Sequence, residues 1–352
     1  MRITPGLQVI ALASTSFLGC AGATPNLSPP QMQNPGLGNA PRSQSQPVAD
    51  VSPAIKPEDL APSEEISAKP GIFFTQPYVQ FLPLEEDPKS GSGILINYHL
   101  TGINPKSTLT IEWRPAGSGE WKPAKGPKTS KVWGPAGVDA HTIIQQQLTG
   151  LPAGAWVDYR FVVGKETVFQ SRCKTRPSAG QSQRVIIFGD CGAGTPESKL
   201  IAMEASKVKA DYTVLTGDIV YSKGRASEYR TNFWPVFNAN SADPKQGGPL
   251  LRSTVTVPAP GNHDIRSTTL DKFQDGFAYF LYWGLPGNGY DYPNGSTSAT
   301  QLGGDAALQA TYKAAAGNAF PNAANYSITV GDVHWTILDA NPNVEWTDPK
   351  LV

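Results

Sequence analysis

The sequence predicts two folded parts in series, a β-sandwich followed by an α/β domain. In the first part, apolar and polar residues alternate over short runs that turn-forming residues separate. In the second, three continuous apolar runs each end in a glycine and a polar side chain, which is typical of buried parallel strands. With 352 residues and 39% hydrophobic content, the chain is long enough for both parts.

The balance of charge argues against polyanionic partners. Lys plus Arg and Asp plus Glu number 29 each, so the formal net charge is zero. The protein as a whole therefore has no positive electrostatic field that would attract nucleic acid or an acidic membrane surface, and either partner would need a local basic patch. We therefore expect no nucleic-acid partner.

Residues 1–20 have the pattern of an export signal. A single arginine precedes a short apolar stretch over 7–18, and residues 17–20 read Phe-Leu-Gly-Cys. This ending resembles the lipobox of bacterial lipoproteins, in which the cysteine, here Cys20, becomes lipidated. The alternative is an ordinary signal cleaved after Ala21 or Ala23. We expect an exported protein, either a lipoprotein at the cell envelope with Cys20 as its membrane attachment, or a periplasmic or secreted protein.

Residues 21–69 are predicted to be a disordered, proline-rich linker. This segment holds nine prolines and no aromatic residue. Such a composition buries too little apolar surface to offset the entropy lost on ordering.

Residues 70–177 are predicted to form the β-sandwich. Alternation is clearest over 94–100, 109–113 and 157–163, with glycine-containing and proline-containing turns between these runs. Residues 148–152 followed by Tyr159 resemble the end of a fibronectin type III domain, with Tyr159 as its corner tyrosine or as a plain core tyrosine. His99 and His141 fall in the strand patterns, where we expect structural rather than catalytic histidines.

Residues 181–352 are predicted to form the α/β domain, which begins with a strand-helix-strand unit. Thr195 is a predicted N-cap and Pro196 a first helical residue, and the apolar stripe of this helix is predicted to be Leu200, Ile201, Ala205 and Val208. The helix leads into the second apolar run, which predicts a parallel pair of strands. Residues 266–325 are predicted to be a long, partly helical excursion, and 325–339 to return to strand.

The polar residues that end the three apolar runs are the candidate site. Asp190 follows the first run, Asp218 and Tyr221 the second, and Asn262 and His263 the third. Ligands of open α/β sheets gather at the carboxyl ends of the strands, so these five side chains should converge. Their oxygens suit hard or borderline cations, and a pair of cations bridged by Asp218 would favour displacement at phosphorus.

Three motifs carry a family resemblance: G-D-C-G at 189–192, G-D-I-V-Y at 217–221 and G-N-H-D at 261–264. They are similar to those of the calcineurin-like metallophosphoesterases. The tyrosine and the preceding sandwich resemble the purple acid phosphatases.

This resemblance implies hydrolysis of phosphate monoesters, of acid phosphatase type, on a four-layer α/β/β/α sandwich that is incomplete here. It implies a binuclear centre of Fe(III) plus a divalent Fe, Zn or Mn ion. Asp190 would bind the first metal, Asp218 both metals, Tyr221 the ferric ion as tyrosinate and Asn262 the second metal. His263 would hydrogen-bond the substrate phosphate.

The sequence also departs from that family, which completes its site with histidines from two later motifs. The one histidine after His263 is His334, which we expect to pack along a strand. The sequence therefore resembles the front part of a longer enzyme, and we expect the 352-residue chain to be inactive or poorly folded. The alternatives are a phosphodiesterase or nucleotidase on the same scaffold, and a surface-binding lipoprotein with a degenerate esterase domain.

Cys173 and Cys191 are predicted to be unpaired thiols, with a bridge between them as the alternative.

Overall fold

The computed structural model describes residues 7–11, 64–86, 91–102, 108–135, 138–265, 269–290, 292 and 299–341. The rest of the predicted export signal, Cys20 and most of the predicted linker lie outside the described residues.

The structure is mostly sheet with some helices. The strands are β1 (Leu7–Ala11), β2 (Thr75–Phe81), β3 (Ile94–Thr101), β4 (Leu109–Pro115), β5 (Lys122–Pro123), β6 (Lys128–Trp133), β7 (His141–Leu148), β8 (Trp156–Val163), β9 (Glu166–Lys174), β10 (Gln183–Phe188), β11 (Tyr212–Leu215), β12 (Val255–Pro258), β13 (Tyr326–Val330) and β14 (Val333–Ile337). The α-helices are α1 (Pro196–Lys207), α2 (Ala226–Glu228), α3 (Trp234–Phe237), α4 (Leu250–Ser253), α5 (Tyr279–Tyr282) and α6 (Ala306–Ala316). A π-helical turn, Tyr229–Phe233, joins α2 to α3, and short 3-10 turns occur at Leu84–Glu86, Gly317–Ala319 and Asn322–Ala324.

The first part of the chain forms two four-stranded antiparallel sheets, ordered β2-β3-β7-β6 and β5-β4-β8-β9. Their inner faces share one apolar core, in which the rings of Tyr98 and Phe161 lie 4.9 Å apart. The alternating runs are therefore strands, as predicted. The fibronectin type III assignment stays a prediction.

Tyr159 is a core tyrosine whose hydroxyl binds the backbone of a distant helix. It is fully buried, and its hydroxyl donates to the carbonyl oxygen of Arg252 at 2.8 Å. A corner tyrosine would bond a backbone group a few residues upstream. The bond that Tyr159 makes instead ties β8 to α4.

The predicted linker ends earlier than the sequence indicated. Ile66 pairs with Gln170 of β9 through two backbone hydrogen bonds of 3.0 Å each. The Lys69 N–H also donates to the Val168 carbonyl at 3.3 Å. Residues 64–69 are thus fixed along the edge of β9, because the strand edge supplies backbone partners that composition does not reveal.

The second part is built on a parallel sheet ordered β1-β10-β11-β12. β10, α1 and β11 form the predicted strand-helix-strand unit, and Thr195 caps α1 by accepting from the Ser198 N–H at 3.3 Å. β1, which lies inside the predicted export signal, pairs with β10 at the edge of the sheet. Export itself stays a prediction.

The buried face of α1 includes Ala205 of the predicted stripe but not Leu200. Leu200 is 46% exposed, whereas Ala202, Ala205 and Ser206 are buried. A Cβ at Gly248 would lie under 3.0 Å from the Ala202 carbonyl oxygen and the Ser206 hydroxyl. The helix therefore packs through small residues, because the neighbouring backbone lies too close for leucine.

The two faces of the parallel sheet join different cores. Ile186 and Phe188 of β10 pack with the helices, and Val185 packs with the hairpin β13–β14 and with the sandwich. The hairpin confirms the strand prediction for 325–339. His334 lies on β14 as predicted, but it is exposed and contacts the Thr329 hydroxyl at 2.9 Å rather than packing inward.

Residues 269–290 and 299–325 are partly helical, as predicted. Most of their aromatic residues are buried in the core, and several pack against the first sheet. The Trp283 ring lies 5.5 Å from that of Tyr78 and 5.7 Å from that of Trp234. This aromatic cluster gives β2 and the second part of the chain one continuous core.

Cys173 and Cys191 are both buried and unpaired, as predicted. A search of the described residues finds no helix long and apolar enough to cross a membrane.

His99 and His141 lie fully buried and stacked, with ring centroids 5.3 Å apart, where the first sheet meets the aromatic cluster. The Tyr78 hydroxyl lies 3.2 Å from His99 Nε2, and the Tyr282 hydroxyl lies 3.3 Å from His141 Nε2. Burial lowers the pKa of His99, with His141 and then Lys131 adding to the effect. Burial also lowers the pKa of His141.

The charged groups near His141 are Asp139 and Arg230. The Asp139 carbonyl lies 2.9 Å from His141 Nδ1, and Arg230 forms an ion pair with the Asp139 carboxylate at 2.5 Å. The Asp139 backbone contact and charge raise the pKa of His141, but burial, to which Arg230 adds, outweighs them. Both histidines therefore bind a proton less readily in the folded state than in the unfolded chain.

We expect the free energy of unfolding to fall as pH drops below about 6.5, because the two histidines then bind protons in the unfolded chain more readily than in the folded protein. The slope should reach about 1.4 kcal/mol per pH unit for each histidine that stays neutral. Chemical denaturation between pH 7.5 and 5 measures it. The double variant His99→Gln, His141→Gln should show a shallower slope, and His334→Gln on exposed β14 should match the unsubstituted chain. An equal slope in all three proteins would contradict the assignment.

Candidate metal centre

The loops after β10, β11 and β12 meet at one edge of the parallel sheet. Backbone hydrogen bonds continue past the strand ends: the N–H of Asp190 donates to Gly217 O at 3.1 Å, and that of Cys191 to Asp218 O at 3.2 Å. The N–H of Tyr221 donates to Gly192 O at 3.2 Å. The first two motifs are therefore joined along their backbones.

Glycine makes this approach possible at each of the three motifs. A Cβ at Gly189 would lie 2.9 Å from Gly217 O, and a Cβ at Gly217 would lie 2.8 Å from Gly261 Cα. A Cβ at Gly261 would lie under 3.0 Å from the Asp218 backbone nitrogen. The glycine that opens each motif is required because its backbone touches the next loop.

Both motif aspartates adopt left-handed backbone conformations, with φ of 53° at Asp190 and 48° at Asp218. Non-glycine residues rarely occupy this region, and strained residues cluster at functional sites. The turn directs each carboxylate away from its strand and toward the shared edge. The cross-loop hydrogen bonds hold the turn in place.

Three of the five predicted site residues are in direct contact. The Tyr221 hydroxyl donates to Asp190 Oδ1 at 2.5 Å and to Asp218 Oδ2 at 3.1 Å. Burial raises the pKa of Tyr221, and the two carboxylates raise it further. The phenol is thus protonated in this arrangement, and the tyrosinate that the resemblance implies would need the charge of a cation.

His263 and Asn262 reach the same edge on the third loop. The His263 backbone N–H donates to Asp218 Oδ1 at 2.8 Å, so each oxygen of that carboxylate has a partner. The imidazole is tilted over Tyr221 with 4.5 Å between ring centroids, and its Nδ1 lies 2.9 Å from Ser222 O. Asn262 is exposed on the neighbouring position of this loop.

Asp264 also lies at this edge, although the sequence patterns do not single it out. Its fully buried carboxylate accepts backbone N–H groups from Ile219 at 3.0 Å, Val220 at 3.1 Å and Gly261 at 2.8 Å. Burial raises its pKa to about 7, although these three hydrogen bonds oppose the shift. Its position in the G-N-H-D motif is a sequence signal. The second and third loops that it joins become neighbours only in the folded protein, so the sequence does not show this link.

The oxygen donors at this edge suit the predicted first metal. The phenol oxygen and two carboxylate oxygens lie within hydrogen-bond distance of one another, which fits one hard or borderline cation. A second cation would have Asp218 and the exposed Asn262 as its ligands. In the described part of the chain, no three or more His, Cys, Asp or Glu side chains form a metal-binding group. The residues present thus fit the first metal of the predicted pair more completely than the second.

The solved structures that resemble this chain include those of two proteins. One is the purple acid phosphatase PPD1 from yellow lupin (Lupinus luteus) seeds, at 17% identity and a TM-score of 0.49, covering 79% of this chain and 47% of that protein. The other is PhoD, at 15% identity and a TM-score of 0.39, covering 77% of this chain and 52% of that protein. The chain therefore spans about half the length of each. No protein-family model and no curated protein matches the sequence.

We expect Gly261→Ala to destabilise the protein by about 1–3 kcal/mol, because its methyl group would collide with the Asp218 backbone, which has no room to shift. Gly119→Ala is the matched control, since nothing lies within 4 Å of a Cβ there. Urea denaturation of both variants gives the comparison. Equal stability of the two variants would show that the loops are not in close contact.

We expect Asp264→Asn to cost about 1–3 kcal/mol, because the amide replaces one acceptor oxygen by a donor and leaves a buried N–H unpaired. Thermal denaturation at pH 8 measures the loss. Asp332→Asn, at an exposed carboxylate that accepts a single backbone N–H from Gly180, should change stability much less. A loss at Asp264 no larger than at Asp332 would argue against the anchoring role.

Proposed function

We propose that this chain carries the metal-binding core of a phosphate ester hydrolase acting on monoesters. The observation that supports this most is the contact of Tyr221 with both Asp190 and Asp218 where two parallel strands end. Two aspartates in left-handed turns at one sheet edge are more than a simple hydrogen-bonded cluster of polar side chains requires. They support a site that gathers oxygen donors for a cation.

A bound cation would supply Lewis-acid polarisation of a phosphoryl oxygen and an acidified water. The chain's own residues would hold it: Asp190, Asp218 and Tyr221 through the contacting oxygens, and Asn262 from the third loop. Asp218 is already shared between two partners, which suits a bridging role. The binuclear Fe(III) centre of the resemblance is part of this proposal.

His263 would act on the ester rather than on the metal. A carbonyl oxygen only accepts hydrogen bonds, so the contact with Ser222 O requires the proton on His263 Nδ1. Nε2 is then the ring nitrogen that would exchange a proton or a hydrogen bond with the substrate. The imidazole lies against Tyr221, which keeps it beside the oxygen donors.

A second candidate function is ligand binding at a cell surface by a protein whose esterase half is degenerate. The absence of a metal-binding group of three His, Cys, Asp or Glu side chains among the described residues favours it. Export and lipid attachment through Cys20 are proposals common to both functions. A phosphodiesterase or nucleotidase activity would use the same site.

Metal content and turnover of p-nitrophenyl phosphate separate these functions. Because the predicted site residues reach one edge of the sheet in this chain, we expect the hydrolase to be active in the 352-residue protein, in place of the inactivity that the missing later histidines predicted. Iron or another transition metal should then copurify, and Asp218→Asn should abolish turnover because both predicted metals share that carboxylate. Asp332→Asn, in the turn between β13 and β14, should keep full activity. Bis-p-nitrophenyl phosphate tests for diester preference. Metal-free protein without turnover on either ester would contradict the hydrolase and leave the binding function.

A further inference from the structure

The loop after Tyr221 is held by a side chain that lies outside all three motifs. The Oε1 atom of Glu228 accepts the N–H of Ser222 at 2.7 Å. Its Oε2 atom accepts the N–H groups of Lys223 at 3.0 Å and Arg225 at 2.9 Å. Both carboxylate oxygens are therefore committed to the backbone of one short loop.

Helix capping accounts for only one of these hydrogen bonds. Glu228 is the third residue of α2, where a glutamate closes a capping box by accepting the N–H of the N-cap residue, here Arg225. The bonds to Ser222 and Lys223 reach back into the loop that precedes the helix. They fold that loop around the carboxylate, as successive N–H groups surround an anion in a backbone nest.

Ser222 links this carboxylate to the candidate centre. Its N–H is bound by Glu228, and its carbonyl oxygen receives Nδ1 of His263 at 2.9 Å. The preceding residue is Tyr221, whose own N–H is bound to Gly192 O. A displacement of Ser222 would thus move the carbonyl that orients the imidazole.

We propose that Glu228 is a positioning residue that orients His263 through the Ser222 peptide. The inference rests on the proposed function, because orientation of His263 matters only if it acts on a substrate. The negative charge is essential, since three N–H donors converge on two oxygens. A glutamine would turn its NH2 group toward at least one of these donors.

A double-mutant cycle tests this proposal on the 352-residue chain with p-nitrophenyl phosphate. Glu228→Gln should lower kcat by between about tenfold and a hundredfold, the range typical of residues that orient a reacting group. In the His263→Asn background the same change should lower kcat by less than about twofold, because no imidazole remains to be oriented. Glu204→Gln, at an exposed glutamate of α1 paired with Lys207, is the control and should leave kcat unchanged.

Amide hydrogen exchange provides a readout that is independent of turnover. Glu228→Gln should speed exchange in 222–228 and also in 261–264, whereas loss of a helix cap would affect 222–228 alone. Glu228→Asp, which keeps the charge but shortens the reach, replaces the glutamine variant if the latter unfolds at the assay temperature.

The outcomes separate this inference from the proposed function. An unsubstituted chain that hydrolyses no ester overturns both. If the chain hydrolyses the ester, two results overturn the positioning role and assign Glu228 to helix capping. One is an equal loss of kcat from Glu228→Gln with and without His263, and the other is faster amide exchange confined to 222–228.

Discussion

The candidate centre depends on backbone contact between three strand-end loops. Gly189, Gly217 and Gly261 bring these loops closer than any Cβ would allow, and backbone N–H groups and carbonyls join the first two loops directly. The left-handed turns at Asp190 and Asp218 belong to the same interlocked arrangement. The contact between the tyrosine and the two aspartates is a consequence of this packing.

Carboxylates hold the loops where strand pairing stops. Asp264 binds three N–H groups across the second and third loops from a fully buried position, and Glu228 binds three within the loop that follows Tyr221. Buried or crowded N–H groups need acceptors, and an anion satisfies several at once. The framework of the site is thus built from protein groups, and a cation would enter a set of oxygens already in place.

The two predicted parts of the chain do not have separate cores. Tyr78 of β2 packs on Trp234 and Trp283, and its hydroxyl donates to the Tyr282 carbonyl oxygen. Tyr159 makes a similar link from the other sheet to α4. The sandwich therefore buries apolar surface of the segment that surrounds the candidate centre, which gives it a structural role in supporting those loops.

The strands over 94–100, 109–113 and 157–163, the strand-helix-strand unit and the five candidate residues could be predicted from the sequence, because periodicity, caps and glycine-terminated apolar runs are local signals. The predicted linker boundary is too late, and the predicted stripe wrongly places Leu200 on the buried face of α1, since both features depend on how closely a distant backbone approaches. Only the tertiary structure revealed Asp264 and Glu228 as anchors, because the N–H groups they bind become neighbours only after the loops have folded.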